Sequence, residues 1–153
     1  MRFNSIVLGG HRLEHDNRPT EGSVAERFEL TGGAYAPTAA RLAIDGLDDR
    51  LDSVLLSDVR LLVSEVVTNS VRHAGAGPED SITMEVVISG EAVRIEVSDF
   101  GEGFEPPTPY PHPEQDWGWG LFLVEQIADR WGVSNEGGTS VWFELARPNQ
   151  QAA

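Results

Sequence analysis

Residues 61–75 read LLVSEVVTNSVRHAG, and the fold turns on this stretch. Leu62, Val63, Val66, Val67 and Val71 recur at helical spacing, and Val54, Leu55, Leu56 and Val59 extend the pattern upstream. Asp52 or Ser53 can cap the start, and Gly75 and Gly77 stop the helix after about Ala74. Glu65 and Asn69 are four residues apart and share a face, and Arg72, three further on, stays on that side. Taken alone, this polar line also fits the solvated stripe of an amphipathic helix.

Downstream, Ser81–Ser89 and Ala92–Asp99 alternate as strands, with Gly90–Glu91 as a hairpin signal between them. Phe100–Gly118 carries five of the nine prolines and reads as a long loop. A helix over Leu121–Trp131 follows, then a closing hairpin of Val133–Glu136 and Thr139–Leu145. Upstream, Ser23–Leu30 suits a first strand and Tyr35–Leu47 a helix, with Pro37 near its start and Gly46 near its end. Trp131, Trp142, Phe143 and Phe122 are expected in the core. Trp117 and Trp119, flanking Gly118, are expected to offer a partner or dimer contact.

This order of elements predicts a two-layer α/β sandwich of the α+β class, with a mixed sheet covered on one face by helices. Residues 1–22 read as a flexible extension, 23–147 as one domain and 148–153 as a disordered tail.

Three places carry chemistry. The Glu65–Asn69–Arg72 line offers a base, an amide oxygen for a hard cation and a cation near phosphate. Magnesium takes few protein ligands when phosphate oxygens supply the rest. In VSDFGEGF, residues 97–104, a strand ends in Asp99 and glycines follow at Gly101 and Gly103. Such an aspartate can accept a hydrogen bond from an exocyclic amine, while glycines admit a flat base closely; a plain Asp–Gly turn is the simpler alternative. Gly118 and Gly120 open the third helix, whose free N–H groups suit phosphate. Each element is weak alone, and their ordered combination carries the reading.

Composition narrows the function. The 153 residues hold 11 cations against 25 anions, a net charge of −14. All the cations are arginine, so Schiff-base lysine chemistry and the lysine-bearing P-loop are excluded. The negative excess argues against nucleic acid and anionic membrane as partners. There is no cysteine, the four histidines are scattered, and no apolar run approaches a membrane span or a secretory signal; a cytoplasmic location is expected.

With these motifs in order, the chain resembles the GHKL-type (Bergerat-fold) ATPase superfamily shared by DNA gyrase, MutL, a heat-shock chaperone and sensor histidine kinases. Within it, VSEVVTNSVRHAG, VSDFGEGFEP, GLFLVEQIADRWGV and VWFEL are most similar to bacterial anti-sigma-factor serine/threonine kinases, actinobacterial members especially. The resemblance covers roughly residues 24–146. It implies the histidine kinase-like ATPase fold, with ATP and magnesium as cofactors and Glu65 as general base. Asn69 would hold the metal. Asp99 would read the adenine amine, with a water near Thr139, and Gly101 and Gly103 would sit by the base. Glu105–Trp117 would form a mobile lid. Gly118, Gly120 and Leu121 would give backbone to the phosphates, with Arg72 and His73 near the nucleotide. Implied partners are a STAS-type anti-sigma antagonist, a sigma factor and a second copy in a homodimer.

One departure stands out. Kinases of this branch often carry an arginine in or at the end of the lid, where this chain has Trp119. No Arg or Lys lies between Arg94 and Arg130. Phosphoryl transfer leans on positive charge, so an ATP-gated binding module with little transfer stays open. So does a detached histidine-kinase catalytic domain, although no separate hairpin presents a phosphoacceptor histidine.

Overall fold

The computed structural model describes residues 6–7, 22–31, 33–73, 80–99, 119–134 and 138–148; the side chains of residues 6, 7, 73 and 119 lie outside that description. The strands are β1 (Ile6–Val7), β2 (Val24–Thr31), β3 (Ser81–Ile88), β4 (Ala92–Asp99), β5 (Arg130–Ser134) and β6 (Thr139–Ala146). The helices are α1 (Ala36–Asp45), α2 (Ser53–His73) and α3 (Trp119–Ile127), with a 3-10 turn at Asp48–Arg50.

The six strands form one sheet in the order β1-β5-β6-β4-β3-β2. Every pairing is antiparallel except that of β1 with β5, which sets Ile6 beside Trp131 and Val7 beside Gly132. The sheet is therefore mixed, as expected, and the parallel edge pair was not foreseen from the sequence.

Alternation divides β3, β4 and β6 between two environments. Ile82, Met84, Val86, Val93, Ile95, Val97, Val141 and Phe143 are buried on one face. They join Ile44 from α1, Val59, Leu62, Val63, Val66 and Val67 from α2, and Leu121 and Val124 from α3 in a single core. The opposite face carries charges. Arg27 pairs with Glu29 and Glu85, and Glu144 accepts from Arg94 and approaches Arg130. One apolar and one polar face per strand is what an antiparallel sheet covered on one side requires.

The helix boundaries follow local chemistry. Pro37 sits in the first turn of α1, where its missing N–H costs nothing, and the chain leaves the helix at Gly46, whose amide donates to Leu42. Asp52 caps α2, its Oδ1 accepting from the amides of Val54 and Leu55 at 3.1 and 3.0 Å. Arg60 meets Asp45 at 3.1 Å and Arg41 donates to Ser64 at 3.1 Å, so α1 and α2 run antiparallel in contact.

Several expectations change. Phe122, expected in the core, is half-buried on α3 and lies outside the core cluster, and the first strand of the closing hairpin begins at Arg130 rather than Val133. The helix expected to reach Trp131 ends at Ile127. There Asp129 donates its amide to Glu144 O and accepts from the Ala146 amide through its carboxylate, which turns the chain into β5. Trp131 is still buried, but as a strand residue. Trp142 was expected in the core and instead lies on the polar face. Its register partner is Gly132, and a Cβ there would lie 2.8 Å from the indole Nε1, so the ring spreads over a position that only glycine leaves free. The Arg94 guanidinium stacks on it at 4.0 Å.

Candidate functional site

The direction of the helices over the sheet fixes which residues can meet. Arg147, just past β6, donates to Ser89 O at 2.7 Å and to Arg50 O at 2.8 Å. The end of the sheet holding the β3–β4 turn therefore lies beside the start of α2. A helix of 21 residues is about 30 Å long, longer than an eight-residue strand, so the C-terminal half of α2 runs over the opposite end of the sheet. Asp99 closes β4 at that end, and Thr139 opens β6 there. α3 leads back toward Asp129 and its bond with Ala146, so it runs antiparallel to α2 and its N-terminus also lies at the Asp99 end.

Three groups of residues converge there. Glu65 and Asn69 are partly buried on α2. Gly120, buried in the first turn of α3, backs directly onto them. A Cβ at Gly120 would lie 3.1 Å from Asn69 Nδ2, 3.1 Å from Glu65 Oε2 and 3.2 Å from Glu65 Cβ. Asp99 and Thr139 are partners across β4 and β6. They are 8% and 5% exposed, which makes them, with Ser70, the buried polar residues among those described. A buried carboxylate persists only where partners satisfy it, and Asp99 is engaged within the fold.

The remaining candidates divide. Leu121 follows Gly120 and buries its side chain in the core, which leaves its backbone as the part that can face a ligand. Arg72 lies exposed in the last turn of α2, and His73 ends that helix with its side chain outside the described residues. Gly101, Gly103 and Gly118, the stretch Glu105–Trp117 and the side chain of Trp119 lie outside the described residues as well. Asp99 and Trp119, which flank residues 100–118, both lie at this end of the sheet.

The donor set fits a nucleotide with one hard cation. A carboxylate stands at a strand end beside a hydroxyl. An amide and a carboxylate face the start of a helix across a position where no side chain intervenes. Among the described residues, no group of three or more His, Cys, Asp or Glu side chains could hold a metal without help. A cation here would draw most of its oxygens from a ligand. The sequence pointed to the residues of this cluster, but it missed the contact between Gly120 and the Glu65–Asn69 pair. That contact joins residues more than fifty positions apart, and nothing local in the chain signals it.

Comparison with known proteins places the fold in a family. Residues 34–145 match the histidine kinase-like ATPase domain. The chain is 35% identical over 115 residues to the serine-protein kinase RsbW of Listeria monocytogenes serovar 1/2a, covering 66% of this chain and 73% of that protein. It is 42% identical over 73 residues to the anti-sigma F factor of Clostridium botulinum strain Eklund 17B, covering 47% of this chain and 50% of the relative. Among solved structures, that of the RsbU and RsbW domains of Rv1364c from Mycobacterium tuberculosis matches with a TM-score of 0.62 at 22% identity. This last match covers 85% of the chain but 35% of the larger one, and it speaks for the fold alone. The chain belongs to the histidine kinase-like ATPase family.

Proposed function

We propose that this member of the histidine kinase-like ATPase family binds ATP with magnesium and transfers the γ-phosphoryl group to a serine or threonine hydroxyl of a partner protein. The observation that carries this reading is the meeting of Gly120 with Glu65 and Asn69 at the sheet end occupied by Asp99 and Thr139. The relatives named serine-protein kinase and anti-sigma F factor support it. On the resemblance of the motifs we further propose an anti-sigma antagonist of the STAS type as phosphoacceptor, a sigma factor as a second partner, a homodimeric assembly and a cytoplasmic place of work. No helix among the described residues is long and apolar enough to cross a membrane.

In this account Asp99 accepts from the adenine amine, with Thr139 and a water beside it. Asn69 gives its amide oxygen to magnesium. Gly118, Gly120 and Leu121 offer backbone to the phosphates, Gly101 and Gly103 lie by the base, and Arg72 and His73 stand near the nucleotide. Glu65 orients the attacking hydroxyl and takes its proton as the new O–P bond forms. The bond from the γ-phosphorus to the β–γ bridging oxygen breaks as ADP leaves, and a magnesium ion held at Asn69 would offset the phosphate charge.

A protein partner needs a docking surface, and α1 supplies apolar side chains for one. Tyr35 and Leu42 are seven residues apart on one side of that helix and are 85% and 66% exposed. Val54 and Leu61 on α2 are also exposed, at 71% and 41%.

A second reading rests on one observation, the lack of any Arg or Lys between Arg94 and Arg130. It makes the protein an ATP-gated binding module with little transfer. Incubation with γ-labelled ATP, magnesium and a serine-bearing antagonist separates the two. Label on a serine or threonine that is lost in Glu65→Gln supports the kinase. Nucleotide-dependent partner binding without label supports the module, and acid-labile label on a histidine would make the chain a detached histidine-kinase catalytic domain.

A further inference from the structure

The structure assigns Gly120 a steric role distinct from backbone donation: it is a positioning residue whose missing side chain lets the first turn of α3 seat directly on Glu65 and Asn69. This inference rests on the proposed nucleotide site for its functional half and on packing alone for its structural half.

The packing is unusually close. The three nearest atoms to a Gly120 Cβ would be Asn69 Nδ2 at 3.1 Å, Glu65 Oε2 at 3.1 Å and Glu65 Cβ at 3.2 Å. The Glu65 Cβ separation is below the 3.5–4.0 Å at which nonbonded carbons rest comfortably, and all three neighbours would have to give by a few tenths of an ångström. Two of the three atoms end polar side chains, and those ends are the functional atoms of the proposed base and metal ligand. A methyl group at residue 120 must therefore push the carboxylate and the amide off their positions or lift α3 from α2. Backbone freedom does not explain the glycine, because Gly120 lies within α3 and is not among the glycines with positive φ.

Helix propensity sharpens this into a question of sign. In an unobstructed helix, replacing glycine by alanine stabilises by up to about 1 kcal/mol. The contact with Glu65 and Asn69 predicts the opposite outcome at Gly120. Where those side chains are shortened, two of the three nearest contacts disappear and the propensity gain should return.

The contact also couples two parts of the site. Glu65 and Asn69 are held by α2, whereas the proposed phosphate seat belongs to α3. With a glycine between them, the position of the α3 terminus and the orientation of the two side chains depend on each other. A methyl group should therefore weaken the magnesium-dependent part of ATP binding more than the magnesium-independent part, and it should lower kcat more than it raises KM.

The test is a mutant cycle on the full chain. Gly120→Ala is made in wild type and in the Glu65→Ala/Asn69→Ala background, and urea unfolding is followed for all four proteins. The inference predicts that Gly120→Ala destabilises wild type and is neutral or stabilising in the shortened background. Destabilisation of equal size in both, or stabilisation in wild type, would overturn it. If Gly120→Ala alone fails to fold, folding of the triple variant supports the inference and its failure overturns it. Titration of wild type and Gly120→Ala with ATP, with and without magnesium, tests the functional half: a loss of about tenfold or more confined to the magnesium-dependent affinity is expected, and an unchanged or evenly lowered affinity contradicts it. A wild type that binds no nucleotide would defeat the proposed site, and the unfolding cycle would still decide the steric role.

Discussion

At Asp99 the proposed recognition of adenine falls on a buried carboxylate. It is 8% exposed at a strand end, and its partner in the sheet is a buried threonine. An amide in its place keeps the shape but presents an N–H₂ group where one of two acceptor oxygens had been. Asp99→Asn is therefore expected to fold and to lower ATP affinity by about 100-fold, since a mispaired buried polar group costs a few kcal/mol; calorimetric titration reads this directly. Glu65→Gln makes the contrasting case. Its shape and contacts with α3 persist while the proton acceptor is lost, so nucleotide affinity should stay within about threefold while phosphotransfer falls by about 100-fold or more. A Glu65→Gln variant with full transfer would take the base role away from this residue.

Among the elements, α2 is held at the end remote from the site. Asp52 caps its first turn, and Asp52→Ala should cost about 1 kcal/mol in urea unfolding. Arg147 ties the end of β6 to the carbonyls of Ser89 and Arg50, and Arg147→Ala should cost about 1–3 kcal/mol. Neither change should alter nucleotide affinity, because both lie at the far end of the sheet from Asp99. Loss of affinity in either would mean that the helix end and the site are coupled. On the polar face, the hydroxyl of Ser81 and then Arg27 hold the Glu29 carboxyl below its ordinary value. A lowered folded pKa contributes stability that is present above the unfolded value and lost as pH falls through the folded one. Glu29→Gln should therefore differ from wild type at neutral pH and converge with it in acid, and a difference independent of pH would contradict this origin.

For the whole molecule, the order of the elements from β2 onward, and the motifs on which the candidate site is proposed, were legible in the sequence because they rest on local signals. The alternation in 81–99, the 3.6 period of 54–71 and the Asp52 cap each lie within a few residues of what they determine. What escaped the sequence depends on distant partners. Trp131 belongs to β5 because Asp129 is tied to Glu144 and Ala146. Trp142 faces the polar side because it spreads over Gly132 beneath Arg94. The contact of Gly120 with Glu65 and Asn69 likewise exists only once α3 is folded against α2. The exposed Tyr35 and Leu42 give a prediction at this scale: changing both to Asp should leave the fold and ATP affinity intact and abolish partner binding in a pull-down with the antagonist. Retained binding would place the docking surface elsewhere. The most direct test of the central claim is a calorimetric titration of the purified chain with ATP in the presence and absence of magnesium, beside Asp99→Asn and Asn69→Ala. The account predicts that wild type binds, Asp99→Asn binds about 100-fold more weakly, and Asn69→Ala loses chiefly the magnesium-dependent part; a folded wild type that takes up no nucleotide, or an Asp99→Asn that binds as wild type does, would contradict it.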